Sequence, residues 1–443
     1  MTKMHCMLAG IAIVFSILAC GLTEPLESNE ADEVSTIVAA TLTANPTIEV
    51  AQIASPEPFV ASTDIPLEVP RRLAYTDDGN IWLIEEDDPA VQLTFDGGAD
   101  RVLLSSDKSK IVFIRKPLGD NHSELRSINY DGSADTTLLS VDELNGLYPM
   151  EAGMVGFEIS MMAFAYGSHD LLFNTFILFD GPGLIKNDEL LRIDTDTGEL
   201  TTILSAGEGG DFTISPNGMQ VAVVQPENIA LINTDGSNHY PNLLAYPPVT
   251  TYSEFRYYAQ PVWAPDSSAL GVAIPSPDPL AEEVFGSLWL IPLNGDPAIN
   301  VGNVEGDFYF TQVFSNPGLS PTLDRVVFAR NHLEDLHELH IANLDGSEDI
   351  LFLEGRLNWQ GWSPEGSRFT FIMSEPLNVF LGEEGEAPEA LLLGMDIHWI
   401  NETEYYYLSG SRGDWEIKKG EIGGGLSPIV SPAGDFISFD VVP

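Results

Sequence analysis

The feature that most constrains this chain is a short segment that it uses again and again. SPEGSRFTFI (363–372) joins a Ser-Pro and a turn-forming Glu-Gly to a run of bulky residues. Versions of it begin at Ser105 (SSDKSKIVFI), Ser215 (SPNGMQVAVV), Ala264 (APDSSALGVAI), Ser320 (SPTLDRVVFA) and Ser431 (SPAGDFISFD). Weaker copies begin at Ala165 (AYGSHDLLFNTF) and Ile400 (INETEYYYLSG), which brings the number of copies to eight. A second element follows most of them, as in LRSINYDGSADTTLL, IALINTDGSNHY and LHIANLDGSEDILFL. Asp-Gly between strand-like runs is a strong hairpin signal, because both residues tolerate the positive φ that tight turns require.

The unit is therefore four short strands: A, a tight turn, B, a looser connection, C, a Gly turn, D. Repetition of such a unit at this scale predicts an all-β fold, a β-propeller of four-stranded antiparallel blades. Blades stack on both faces, which accounts for continuous apolar runs such as Ile111-Val112-Phe113-Ile114 where a one-sided sheet would alternate. The best count is eight blades, with seven as the alternative. Strands of B, C and D type open the domain and strands of A and B type end it, so the two ends are expected to close one blade. Residues 73–76 and 436–441 both fit its single B position, and the sequence leaves that choice open.

Trp362-Ser363-Pro364-Glu365-Gly366 and SGSRGDWEIKKGEIGGG (409–425) resemble the TolB-type propeller repeat. The resemblance extends over 71–443. It departs at 105–110, which lacks the Pro and Gly, and at 400–405, which lacks the Ser-Pro. It implies the architecture and little about function, since such blades serve scaffolds, enzymes and binding proteins alike.

The N-terminal residues point to export. Lys3 precedes an uncharged run of signal-peptide length, and Ile17-Leu18-Ala19-Cys20-Gly21 resembles a bacterial lipobox. That resemblance implies a signal peptide over 1–19, diacylation of Cys20 and a lipoprotein of the cell envelope that faces outside the cytoplasm. Cys6 would leave with the signal, so no disulfide is expected. Residues 20–70 are acidic and rich in Pro and Thr, the composition of a flexible tether, and 71–443 form the propeller domain.

Charge narrows the partners. The chain holds 67 acidic and 19 basic residues, a formal net charge of −48. Nothing here neutralises phosphates, so nucleic-acid binding is excluded and membrane attachment must come from lipid alone. Ca²⁺ is compatible with the charge, although no motif supports it; no cofactor is expected.

Strand alternation places the A–B and C–D turns on one face and the B–C and D–A connections on the other. The long connections fall on the second face, including 117–123, 141–155, 179–188, 246–261, 275–286 and 302–317, which marks that rim for binding a protein, peptide or glycan. The richest of them carries Tyr246, Tyr252, Phe255, Tyr257 and Tyr258 around Arg256. Aromatic rings with one Arg suit recognition; packing of the rings against adjacent blades is the plainer alternative. HLEDLHELH (332–340) is not a zinc motif and is expected to place exposed histidines near a B–C turn. DTDTGE (194–199) reads as a hairpin turn. No G-x-S-x-G, zinc or sialidase-type motif occurs, so no catalytic or metal residues are assigned. The expectation is a monomeric binding or scaffold module. The rival is a propeller enzyme, a carbohydrate-active lyase or cyclase, with its site at the channel mouth.

Overall fold

In the run Ile111-Val112-Phe113-Ile114 successive side chains point to opposite faces of the strand Lys110–Arg115. Ile111 and Phe113 pack with Ala74, Ile81 and Leu83 on one side, whereas Val112 and Ile114 pack with Phe157, Leu171 and Phe173 on the other. All four are at most 4% exposed. Burying such side chains stabilises the fold by about 1.5–3 kcal/mol each. One continuous apolar strand thus serves two interfaces, and the arrangement repeats around a ring.

The computed structural model describes residues 71–442, apart from 118–121, 182, 184, 253–255, 307–315, 333–335, 375–376 and 392–393. Cys20, the signal peptide and the tether lie outside the described residues. The described chain is all-β apart from one short helix, Val141–Asn145, capped by Ser140 and Glu143. It forms eight antiparallel sheets, an eight-bladed β-propeller. Blade 2, for example, runs Ala99–Leu104, Lys110–Arg115, Glu124–Asn129 and Thr136–Leu139 as strands A to D. Eight clusters of buried apolar side chains each lie between consecutive blades. In blade 6 strand A is reduced, among the described residues, to a bridge between Leu319 and Val326.

Closure differs from the expectation in one respect. Residues 428–439 do not fold into an A–B hairpin, because Gly425–Val430 is already strand D of blade 8, paired with Asp414–Glu421. The chain instead crosses to the start of the domain, where Phe439–Val442 pairs antiparallel with Arg72–Asp77 in the register Arg72↔Val442. The last strand takes the A position and residues 73–76 keep B, so both are placed. The crossing is stitched down: the Asp77 carboxylate accepts from Ala433 N at 2.7 Å and Gly434 N at 3.0 Å, and Thr76 and Ser438 exchange hydrogen bonds at 2.8 Å.

The repeated turns owe their likeness to backbone geometry. In blade 7 Ser363 N donates to Arg368 O and Gly366 N to Ser363 O, with Gly366 at φ 74°. Blade 2 builds the same turn without the glycine, placing Lys108 at φ 62°. The letters vary because the turn needs one left-handed residue, which a non-glycine fills at a cost of about 1–2 kcal/mol.

Candidate functional site on the long-connection rim

The site begins with a break in a strand. In blade 3, Ile185–Lys186 pairs with strand B at Ile177 and Phe176, and pairing resumes at Leu191 opposite Phe173. Residues 187–189 lie between. Asn187 keeps contact with strand B through N to Thr175 O at 3.0 Å and Nδ2 to Thr175 Oγ1 at 2.7 Å. Asp188 stands at φ 51°, a left-handed conformation uncommon for a residue with a Cβ. The following D–A connection pins the break, with Gly207 N donating to Asn187 O and Gly209 N to Asp188 O. The approach is so close that a Cβ at Gly209 would lie 2.3 Å from the Glu189 carbonyl carbon.

The break directs two carboxylates differently. Glu189 is fully buried; its Oε1 accepts from Thr175 N at 2.7 Å and Oγ1 at 2.6 Å, while Oε2 has no partner among the described residues. Burial pushes this carboxyl up to about 7, against the opposing effect of the Thr175 bonds. Asp188 borders a cavity of about 440 Å³. Its Oδ1 accepts from Tyr258 Oη at 2.6 Å, and its Oδ2 lies 3.6 Å from Arg256 Nη1. Burial raises its pKa, outweighing Tyr258, Arg256 and Lys186, and the pKa of Tyr258 is raised strongly, first by burial and then by Asp188. Lys186 pairs with Asp211 and holds its ammonium 4.5 Å from the centre of the Tyr258 ring.

Arg101, Glu158 and Phe176 complete the wall toward the inner strands of blades 2 and 3. A second cavity of about 560 Å³ lies beside the first, bordered by Gln225, Asn228, Pro248 and Tyr257. Asp188 and Arg256 line both cavities.

The structure divides the aromatic connection between core and rim. Tyr246 and Tyr257 are 7% and 4% exposed and belong to the cluster between blades 4 and 5, with Tyr246 Oη donating to Gln225 O at 2.6 Å. Arg256 and Tyr258 reach the cavity. Tyr252, 62% exposed, donates to Asp278 at 2.7 Å away from it. Phe255 lies outside the described residues. Two histidines of 332–340 depart from expectation: His337 and His340 are buried in the strand Leu336–Asn343, and His340 stacks on Phe328 and bonds Asp349 at 2.6 Å. Residues 195–198 do form the expected hairpin turn, in which Asp194 accepts from Asp196 N and Thr197 N.

Sequence reasoning missed two groupings. Arg101 stands alone in a strand, and its neighbours come from blades 3 and 4. On the opposite face, Ser109 Oγ lies 2.9 Å from His169 Nε2, and His169 Nδ1 lies 2.7 Å from Asp196. These three residues have the geometry of a Ser–His–Asp triad. The electrostatics do not follow: Asp107 accepts the Ser109 hydroxyl at 2.7 Å and also contacts His169 at 3.2 Å. The Ser109 hydroxyl proton is thus directed at a carboxylate and not at the imidazole, and the two carboxylates outweigh burial in raising the His169 pKa. Among the described residues no group of three or more His, Cys, Asp or Glu is placed to hold a metal, and no helix is long and apolar enough to cross a membrane.

No family model matches the chain, and no curated protein matches it. Solved structures similar to it are propellers. TolB from Acinetobacter baumannii is 13% identical, with 64% of each chain covered and a TM-score of 0.31. The β-propeller domain of the Trilobed protease from Pyrococcus furiosus is 12% identical, covering 77% of this chain and 98% of that one at a TM-score of 0.44. Oligogalacturonate lyase from Vibrio parahaemolyticus is 14% identical, covering 70% and 82% at 0.41. The likeness concerns the fold.

Proposed function

We propose that this chain is a lipid-anchored, extracytoplasmic β-propeller that acts as a binding module, recognising a protein, peptide or glycan on its long-connection rim. The observation that carries this reading is the broken strand at Asp188. Three elements, the break itself, the D–A connection bearing Arg256 and Tyr258, and the inner strand bearing Arg101, converge on one cavity there. Binding on the rim is preferred to triad chemistry on the other face because there the Ser109 hydroxyl donates to Asp107 and not to His169.

Deleting 245–261 would not test this reading, since Tyr246, Val249, Tyr257 and Ala259 belong to the core. The test is partner capture by the membrane-anchored full chain carrying Arg256→Glu, with Met219→Gln on the turn face as control. Arg256→Glu is expected to lower capture about tenfold and the control to leave it unchanged. Equal capture by both variants would sink the rim as the binding face. Cys20→Ala is expected to release the protein from membranes; membrane association that survives the substitution would overturn the lipid anchor.

A further inference from the structure

The cavity reverses the charge balance of the chain. Acidic residues outnumber basic ones 67 to 19 overall, yet the wall carries Arg101, Lys186 and Arg256 against Glu158 and Asp188. The three cations are unequally satisfied. Lys186 has Asp211. Arg256 is well exposed and reaches Asp188 only at 3.6 Å, on an oxygen separate from the one that Tyr258 occupies. Arg101 donates to the carbonyls of Ser160 at 2.9 Å and Ile159 at 2.8 Å and forms no ion pair among the described residues. Asp100 and Glu158 act on Arg101 through space, but burial outweighs them and neither forms a direct pair with it, so this half-buried guanidinium beside the cavity has room for a closer anion.

We infer that this cavity takes a ligand with one carboxylate on a short apolar body. The inference rests on the reading of the rim as the binding face and names the chemistry it recognises. Arg101 would receive the carboxylate, and Arg256 would leave its long contact with Asp188 to complete a second charge-assisted pair. Phe176, Ile185 and the Tyr258 ring supply apolar wall for the body of the ligand. A single carboxylate fits better than a polyanion, because the acidic surface around the cavity repels every further negative charge. The volume of about 440 Å³ is in the range of small-molecule sites. A peptide C-terminus and a small organic acid share this chemistry.

The test is calorimetric titration of the purified full chain in detergent with N-acetyl-Leu-Phe, its C-terminal amide and 4-phenylbutyrate. The acid is expected to bind about tenfold or more tighter than the amide. Arg101→Gln is expected to erase that preference; because Arg101 also ties two blades together, the exposed Arg256→Gln serves as a second variant and is expected to reduce it. Phenylbutyrate binding as tightly as the peptide acid would support the carboxylate and identify a small organic acid as the ligand type; weaker binding would support it and identify a peptide terminus. Equal binding of acid and amide would overturn the inference while leaving the rim as the binding face. If none of the three binds at millimolar concentration the inference falls, and capture by the Arg256→Glu variant decides the rim independently.

Discussion

On the turn face of blade 3, His169 sits between the carboxylates of Asp107 and Asp196, whereas on the opposite rim Arg101 donates to two backbone carbonyls and, among the described residues, feels Asp100 and Glu158 only through space. Both groups join blade 3 to blade 2. In the first, burial of Asp107 is outweighed by hydrogen bonds from Ser105, Ser109 and His169, and its pKa falls well below the usual carboxylate range. In the second, burial prevails, and the carboxyls of Asp188 and Glu189 are pushed up. A cluster whose charges are all answered holds blades together. One whose charges are only partly answered is poised to meet something else, at a cost in stability that the rest of the ring must offset.

The sharpest way to break this contrast is to remove the close approach that holds the rim open. Gly209→Val would force a side chain into the Glu189 backbone and is expected to cost about 3 kcal/mol or more, read as a lower thermal midpoint. A midpoint equal to wild type would show that the break does not depend on this contact. The next largest effect concerns Glu189. Its folded pKa of about 7 lies above its ordinary 4.5, so its contribution is fully present below pH 4.5 and is lost as pH rises through 7. Denaturant titrations should show wild type losing about 3 kcal/mol across that window relative to Glu189→Gln, which lacks the titrating group. A constant difference between the two proteins would mean that the carboxyl is not strained.

The turn-face cluster should behave in the opposite sense. His169→Gln is expected to destabilise by about 1 kcal/mol, because it removes a contact instead of relieving one. The folded pKa of His169 is raised above 6.5, so its contribution is full below pH 6.5 and fades as pH rises through the raised value. Equal stability of variant and wild type at pH 6 would refute the clamp. The smallest effect tests the turn itself. Lys108→Gly should gain about 0.5–1 kcal/mol by relieving the left-handed residue, and a loss would show that the lysine side chain contributes more than its backbone strain costs.

The propeller was legible because its signals are local and repeated. Ile111-Val112-Phe113-Ile114 announces a strand buried on both sides, and the turn at Asn129–Ser133 closes on itself: Gly132 N bonds Asn129 O, and Asp131 caps Ser133. The segment 428–439 has the same letters as an A–B turn, but its first residues are committed to strand D of blade 8, a fact of pairing that no short window contains. The site was half legible. Arg256 and Tyr258 stood out as a cation among aromatics in an acidic chain, whereas Tyr246 and Tyr257 looked the same and turned inward. Arg101 and His169 were silent, since each acquires its meaning from residues of adjacent blades.

The register Arg72↔Val442 sets the order in which the ring can be completed. Every other blade can assemble from strands close in sequence, but blade 1 must wait for its inner strand to arrive from the far end of the domain. That contact closes the longest loop in the molecule, so its entropy is the greatest and its formation is expected late. Until then the first and eighth blades each have an uncovered apolar face, because the cluster joining Leu73 and Tyr75 to Leu408 and Ile417 also requires Phe439 and Val441. The interval between assembly of the blades and arrival of four residues is therefore the time during which this acidic ring is most exposed to proteases and to its own neighbours.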